Sequence, residues 1–336
     1  MKSIMITSVG GLGKQIAEAI RLSSHNYFIV GTDLRRCFYE EGLINRFYQS
    51  LRADDPQFLP RTEQIIVENN VGIIFVGSIP ETRWFAQNKE YFESKGVQAI
   101  VSDPNIFDLC MDKCTLSDYL TERGILLPKY KRVTHISDIE GIDFFPLVLK
   151  PNKDASGSNN VTIIFDKEEL TLFTNYYLRR NVEMIAQEWI ENSSDEYSVN
   201  LTIDGDQVLG NIAINRNFST ALSVKEKFSH NGTLYCVSSG ISQGKIVIHH
   251  GLEEETNKIA RALGISGSLN LQGIFRDDHF YLIDLHPAIT GSVYAKALAG
   301  YNEPLHYIKK YINAKEDAEF NVREVEIVRT LKTEVI

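Results

Sequence analysis

Three polar side chains near the carboxyl-terminal end of the chain interrupt otherwise apolar runs: Gln272, Asp284 and His286. Leu269, Leu271 and Gly273 alternate with Asn270, Gln272 and Ile274, the period of two expected of a strand. Residues 276–279 are a polar turn and residues 280–285 a second β-prone run, so the stretch predicts a hairpin. Asp284 and His286 are two residues apart and project from one face of their strand. A carboxylate in such a run is costly to bury unless a cation or donor meets it. An amide carbonyl, a carboxylate and an imidazole converging from paired strands suit a divalent cation. A hairpin with a buried Asp–His hydrogen bond explains the same residues, and on this stretch alone the two readings stand level.

Lys150 closes the run Phe145-Pro146-Leu147-Val148-Leu149, which predicts a buried stem and an ammonium directed at something anionic. The residues after it, 152–160, are small and polar around Ser156 and Gly157. Such a loop can fold over phosphates and donate backbone N–H groups. It is not a Walker loop, because the lysine precedes it. Lys113 follows Asp112 at the opening of a helical pattern with Leu116, Tyr119 and Leu120 on one face, which Gly124 ends. Gln187-Glu188-Trp189-Ile190 precedes a polar break and then Glu196-Tyr197-Ser198-Val199. Taken singly, Lys113 and Glu196 read as solvated surface charges.

In order and spacing these segments resemble the ATP-grasp superfamily, most closely its carbamoyl-phosphate-synthase-like and carboxylate–amine ligase members. The resemblance covers residues 105–310 well and 1–104 loosely. It implies that Lys113 and Lys150 reach the ATP phosphates, and that Ser156 and Gly157 lie in the phosphate loop. It also implies that Glu188, Trp189 and Ile190 line the adenine, with the flat Trp189 ring as a wall, and that Glu196 accepts the ribose hydroxyls. Arg216 becomes the candidate for the γ-phosphate or acyl phosphate, with Lys225 and Lys227 as weaker ones. Gln272, Asp284 and His286 become the ligands of Mg²⁺ or Mn²⁺. The chain departs from the family pattern in having Asp284 for Glu, His286 for Asn and Ala288 for Arg. The implied reaction activates a small-molecule carboxylate as an acyl phosphate, which an amine then captures.

The elements that must position these groups follow from pattern. The fold class is α/β, with α+β character in the core. A Rossmann-like α/β domain (1–104) is expected to precede a two-lobed ATP-grasp fold (105–185 and 186–316) and a charged tail (317–336). The first domain opens on a strand, the turn Ser8-Val9-Gly10-Gly11-Leu12-Gly13 and a helix, with Asp33 after the second strand. That turn keeps alive an NAD(P)-dependent oxidoreductase, although Ile16 stands where G-x-G-x-x-G needs its last glycine. Residues 204–207 read as a hairpin turn and 252–263 as an amphipathic helix stopped by Gly264. Residues 218–244 read as a loop-rich insertion. His249 and His250 are adjacent and would face opposite ways on a strand, against a metal pair.

The 336 residues exceed one compact core. A composition of 43% hydrophobic and 24% charged residues is that of an ordinary globular protein. The net charge of -9 argues against nucleic acid or an anionic membrane as partner. Four cysteines without zinc spacing, and no apolar stretch of signal or membrane length, predict a reduced, cytoplasmic protein. A homodimer is left open. A non-catalytic nucleotide-binding protein would also account for Ala288 and the altered metal ligands.

Overall fold

A computed structural model describes residues 2–36, 42–153, 159–191 and 195–330. The first strands are short and parallel. β1 (Ser3–Ile6), β2 (Ile29–Asp33), β3 (Arg46–Gln49), β4 (Val71–Phe75) and β5 (Gln98–Ile100) form one sheet in the order β3-β2-β1-β4-β5, and β1, β2 and β4 are buried. Strands buried on both faces need helices on both. The connections supply α1 (Leu12–Ile20), α2 (Phe58–Asn69), α3 (Ile79–Gln87) and α4 (Lys89–Ser94). Phe58, Ile65, Phe85 and Phe92 of α2 to α4 pack one face, and Ile16, Ala17 and Ile20 of α1 pack the other. Gly13 lets α1 start hard against β1, since a Cβ there would lie 2.3 Å from the Thr7 carbonyl oxygen.

Next come α5 (Pro104–Met111) and α6 (Lys113–Thr121), then β6 (Tyr130–Val133), β7 (Leu147–Pro151), β8 (Thr162–Ile164), α7 (Lys167–Leu178) and β9 (Met184–Glu188). The four strands make an antiparallel sheet in the order β6-β9-β7-β8. Leu147, Leu149, Met184 and Ala186 of that sheet meet Leu170 and Tyr177 of α7.

The remainder builds a six-stranded antiparallel sheet. Its strands are β10 (Glu196–Asp204), β11 (Gln207–Arg216), β14 (Gly244–Val247), β15 (Gly267–Arg276), β16 (His279–His286) and β17 (Glu326–Ile327). Between β11 and β14 a separate hairpin of β12 (Val224–His230) and β13 (Thr233–Ser238) pairs, among the described residues, only with itself. α8 (His250–Leu263) precedes β15, and α9 (Val293–Leu298) and α10 (Glu303–Tyr311) follow β16.

One expectation about organisation is corrected. Residues 218–244 are not loop-rich: Asn231 and Gly232 both adopt positive φ (50° and 81°), the turn that closes a tight hairpin. Phe107, Cys110, Leu116 and Leu120 of α5 and α6 share a core with β10, β15, β16 and α8, because their apolar stripe meets that sheet. Part of the tail packs against the rest of the chain. Ile327 of β17 is buried at the sheet edge, and the Phe320 ring stacks on Tyr301 at 4.2 Å between centroids. Finally, Val293 of α9 and Leu305 and Ile308 of α10 return to cover α1 on the parallel sheet. This return places the segment after β16 beside the carboxyl ends of β1 and β4.

Candidate active site

The apolar run that forms β7 buries Leu147 and Leu149 and carries Lys150 into the interior, where the residue is only 5% exposed. Its Nζ donates to Gln187 Oε1 on β9 at 2.8 Å and to the Ile283 carbonyl on β16 at 2.6 Å. Burial pushes the ammonium down to about 8, while Asp284 pulls it up and Lys113 pushes it further down. Lys113 begins α6, and its Nζ lies 2.9 Å from Asp284 Oδ1.

A scaffold missed in the sequence sets this pair of lysines. Asp112 caps α6 by accepting the Thr115 N–H at 2.9 Å and also holds Arg132 and the Asn152 amide. Asn152, two residues beyond Lys150, accepts the Cys114 N–H at 2.8 Å and the Lys113 N–H at 3.0 Å. Burial would raise the Asp112 carboxyl, but the Thr115 amide and Arg132 hold it well below its ordinary value. The signal available was a helix cap followed, forty residues on, by an asparagine after Lys-Pro; only the fold joins them.

On the hairpin, Gln272 of β15 pairs in register with Asp284 of β16, and Asn270 with His286. Burial acts to raise the Asp284 carboxyl, but Lys113 and then Lys150 outweigh it and leave it lowered. Burial lowers the His286 imidazole against the pull of Asp284, which keeps its ring nitrogen available as a ligand. Among the described residues no cluster of three His, Cys, Asp or Glu side chains could hold a metal. The side chains at the hairpin that could hold one are the Asp284 carboxylate, the His286 imidazole and the Gln272 amide oxygen. That set fits a divalent cation whose remaining ligands are phosphate oxygens or water.

Two cavities meet at this hairpin. The smaller, about 90 Å³, is lined by Lys113, Lys150, Gln187, Glu188, Trp189, Ile190, Glu196, Gln272 and Asp284. The larger, about 1100 Å³, runs from Gln272, Asp284 and His286 to the carboxyl ends of β1 and β4. Gln272 and Asp284 line both. Cys236, Val237 and Ser238 of β13 also line the small cavity, and the Trp189 ring lies 5.6 Å from that of Tyr235 on the same strand. This wall comes from the hairpin that sequence reasoning passed over.

The remaining candidates fall as follows. Glu196 lines the small cavity and accepts Arg216 Nη1 at 3.0 Å. Arg216 lines neither cavity. Its side chain is buried behind Glu196, and Nη2 donates to the Ser239 carbonyl at 2.7 Å. Burial lowers the Arg216 pKa and Glu196 pulls it back. Arg216 thus holds the Glu196 carboxylate. Lys225 and Lys227 are exposed on β12. Ser156 and Gly157 lie outside the described residues, although Asn159 and Val161, just beyond them, line the small cavity. His249 caps α8, accepting the Leu252 N–H at 3.2 Å, and forms no metal pair with His250. At the glycine turn, Asp33 Oδ2 accepts the Gly10 N–H at 2.9 Å.

The family model for the ATP-grasp domain matches residues 110–292. The chain belongs to the ATP-grasp family. A curated ATP-grasp relative, the carbamoyl phosphate synthase large chain of Rubrobacter xylanophilus, is 23% identical over 283 residues, or 78% of this chain and 25% of that one. The chain therefore spans about a quarter of such a relative's length. Among solved structures, the L-amino acid ligase from Bacillus licheniformis matches with a TM-score of 0.69 at 16% identity, covering 98% of this chain and 82% of that one. The biotin carboxylase domain of the Hydrogenobacter thermophilus 2-oxoglutarate carboxylase, solved with MgADP, matches with a TM-score of 0.64 at 15% identity, covering 96% and 73%. At these identities the structural likeness is one of ATP-grasp fold. No helix among the described residues is long and apolar enough to cross a membrane.

Proposed function

We propose that this ATP-grasp chain is an ATP- and divalent-cation-dependent ligase that activates a small-molecule carboxylate for attack by an amine. The observation that carries the reading is the junction of two cavities at Gln272 and Asp284, with two lysines converging on it. In this reading the smaller cavity takes the nucleotide. Trp189 and Ile190 contact the base, Glu196 accepts the ribose hydroxyls with Arg216 holding its carboxylate in place, and Lys113 and Lys150 bind phosphate oxygens. The larger cavity takes the acid and the amine. A substrate carboxylate oxygen attacks the γ-phosphorus, the bond to the bridging oxygen breaks, and ADP leaves with the electron pair. The amine nitrogen then attacks the acyl carbon, phosphate leaves, and the nitrogen loses a proton. Asp284, Gln272 and His286 would hold a divalent cation, Mg²⁺ or Mn²⁺, which when bound supplies neutralisation of phosphate charge. Positioning and charge carry such chemistry more than any single base.

The parallel sheet of residues 3–100 is read as the Rossmann-like substrate domain, with the two antiparallel sheets as the ATP-grasp lobes. At about 90 Å³ the small cavity is below the ~300 Å³ at which ligand pockets begin. Nucleotide entry then requires a wall to give, and β12–β13, which among the described residues pairs with no other strand, is the wall least tied to a sheet.

A second reading is a nucleotide-binding protein without turnover, favoured by Ala288 and by the Lys113–Asp284 contact, which occupies one oxygen of the metal carboxylate. Titration calorimetry with ATP and Mg²⁺ or Mn²⁺, alongside NAD(P)H, tests both against the oxidoreductase. ADP release across a panel of carboxylates and amines then separates ligase from binder. NAD(P)H binding without ATP binding overturns the proposal.

A further inference from the structure

The far end of the large cavity is built around Glu81, a residue only 7% exposed that none of the roles above uses. It sits in the first turn of α3, at the carboxyl end of β4. Thr7, Ser8 and Ser78 donate their hydroxyls to a single oxygen of it, Oε2, at 2.8, 2.7 and 2.6 Å. The direction of the first bond is fixed, because Thr7 Oγ1 already accepts the Gly77 N–H at 3.0 Å. The other oxygen, Oε1, accepts none of the hydrogen bonds among the described residues and is not an enclosed orphan. Three hydroxyls therefore clamp the carboxylate by one oxygen and leave the other for the cavity.

Charge at this end is unbalanced. Of the basic residues lining the cavity, Arg52 is engaged by Asp54 at 2.9 and 3.1 Å, and Arg83 by Asp108 at 3.3 Å. Asp284 is met by Lys113. Glu81 and Asp33 form no ion pair among the described residues. The donors that would make a glycine turn bind phosphate are also taken by the chain's own acids, since Gly10 N–H serves Asp33 and the Ser8 and Ser78 hydroxyls serve Glu81. A cavity with two helix starts, α1 and α3, would ordinarily favour an anion. Here Asp33 meets the turn that precedes α1 and Glu81 lies in the first turn of α3, and the opening that remains favours a cation with N–H donors.

We infer that the large cavity binds an amino acid whose ammonium group donates to Glu81 Oε1, with Asp33 adding negative charge to the same cavity. The ammonium end rests on Glu81. The carboxylate end, toward Gln272 and His286, rests on the ligase reading above. The inference excludes phosphorylated substrates and dinucleotides from the glycine turn.

Titration calorimetry of the full chain with each standard L-amino acid, its N-acetyl form, and glycerol phosphate tests it. At least one amino acid is expected to bind at least about tenfold more tightly than its N-acetyl form, the scale of one lost charge-assisted hydrogen bond. Glu81→Gln keeps an oxygen for the three hydroxyls and removes the charge, and should shrink that preference to below about threefold. If the variant does not fold, the native comparison decides alone. The inference is overturned if no amino acid binds, if N-acetyl forms or glycerol phosphate bind as tightly, or if the variant keeps the preference. ATP is titrated separately. ATP binding without amine preference refutes this inference and leaves the ligase reading standing, whereas Glu81-dependent amino-acid binding without ATP binding does the reverse.

Discussion

Replacing Lys150 by Met removes the ammonium and keeps a stem of similar length. In the free protein the Nζ answers Gln187 Oε1 and the Ile283 carbonyl, so the variant leaves two acceptors without a donor, at about 1–3 kcal/mol each when fully buried. Relief from burying a charge offsets part of that cost. In the nucleotide complex the same ammonium would bind phosphate, and a hydrogen bond to a charged group contributes about 1.5–3 kcal/mol. ATP affinity should therefore fall by roughly 10- to 150-fold. Lys153 is the internal control. Its side chain is 53% exposed and spans Asp112 and Glu183 at 3.4 and 3.3 Å, a surface arrangement of about 0–1 kcal/mol. Lys153→Met should leave ATP affinity within about threefold. Calorimetry at pH 7 with Mg²⁺, after thermal melts establish that both variants fold, makes the measurement. Equal weakening by the two variants, or none from Lys150→Met, would refute a phosphate role for Lys150.

Lys150 also sets a pH dependence. Between about 8 and the ordinary 10.5 the unfolded chain holds this proton and the folded chain does not, so this group makes stability rise with pH through that window. ATP affinity should move the other way, falling above about pH 8, and the dependence should vanish in Lys150→Met. Gly11→Ala should leave ATP affinity within about threefold, because its Cβ would meet only the Ser8 carbonyl at an ordinary 3.8 Å. Gly13→Ala, whose Cβ would lie 2.3 Å from the Thr7 carbonyl, should lower thermal stability by roughly 1–3 kcal/mol. His286 should favour Mn²⁺ over Mg²⁺ in nucleotide binding, with affinity falling below the ordinary histidine range since burial lowers the imidazole. His286→Asn should shift the preference to Mg²⁺ and flatten the acid limb; identical metal and pH profiles in both proteins would remove His286 from the site.

What was legible in the sequence was what short-range patterns carry. The period-two runs around Gln272 and Asp284, the apolar strand ending in Lys150, the Asp112 cap and the glycine after α6 each fix backbone direction within a few residues. The Asn231-Gly232 turn was equally local and was passed over because the flanking strands carry charges on an exposed hairpin. What the sequence left open were the pairings between distant side chains. Arg216 reads as a free cation after a strand, yet the β10–β11 register puts it across from Glu196 and buries it there. The α5 and α6 stripe has no stated partner until it meets the six-stranded sheet. Glu81 reads as one residue of the stretch 77–82 at the carboxyl end of a strand, an end where ligands of parallel sheets bind, and nothing in that stretch singles it out. Only the parallel order of β1 beside β4 brings Thr7 and Ser8 onto its carboxylate, because in a parallel sheet neighbouring strands end at the same edge while their residues stay far apart in the chain.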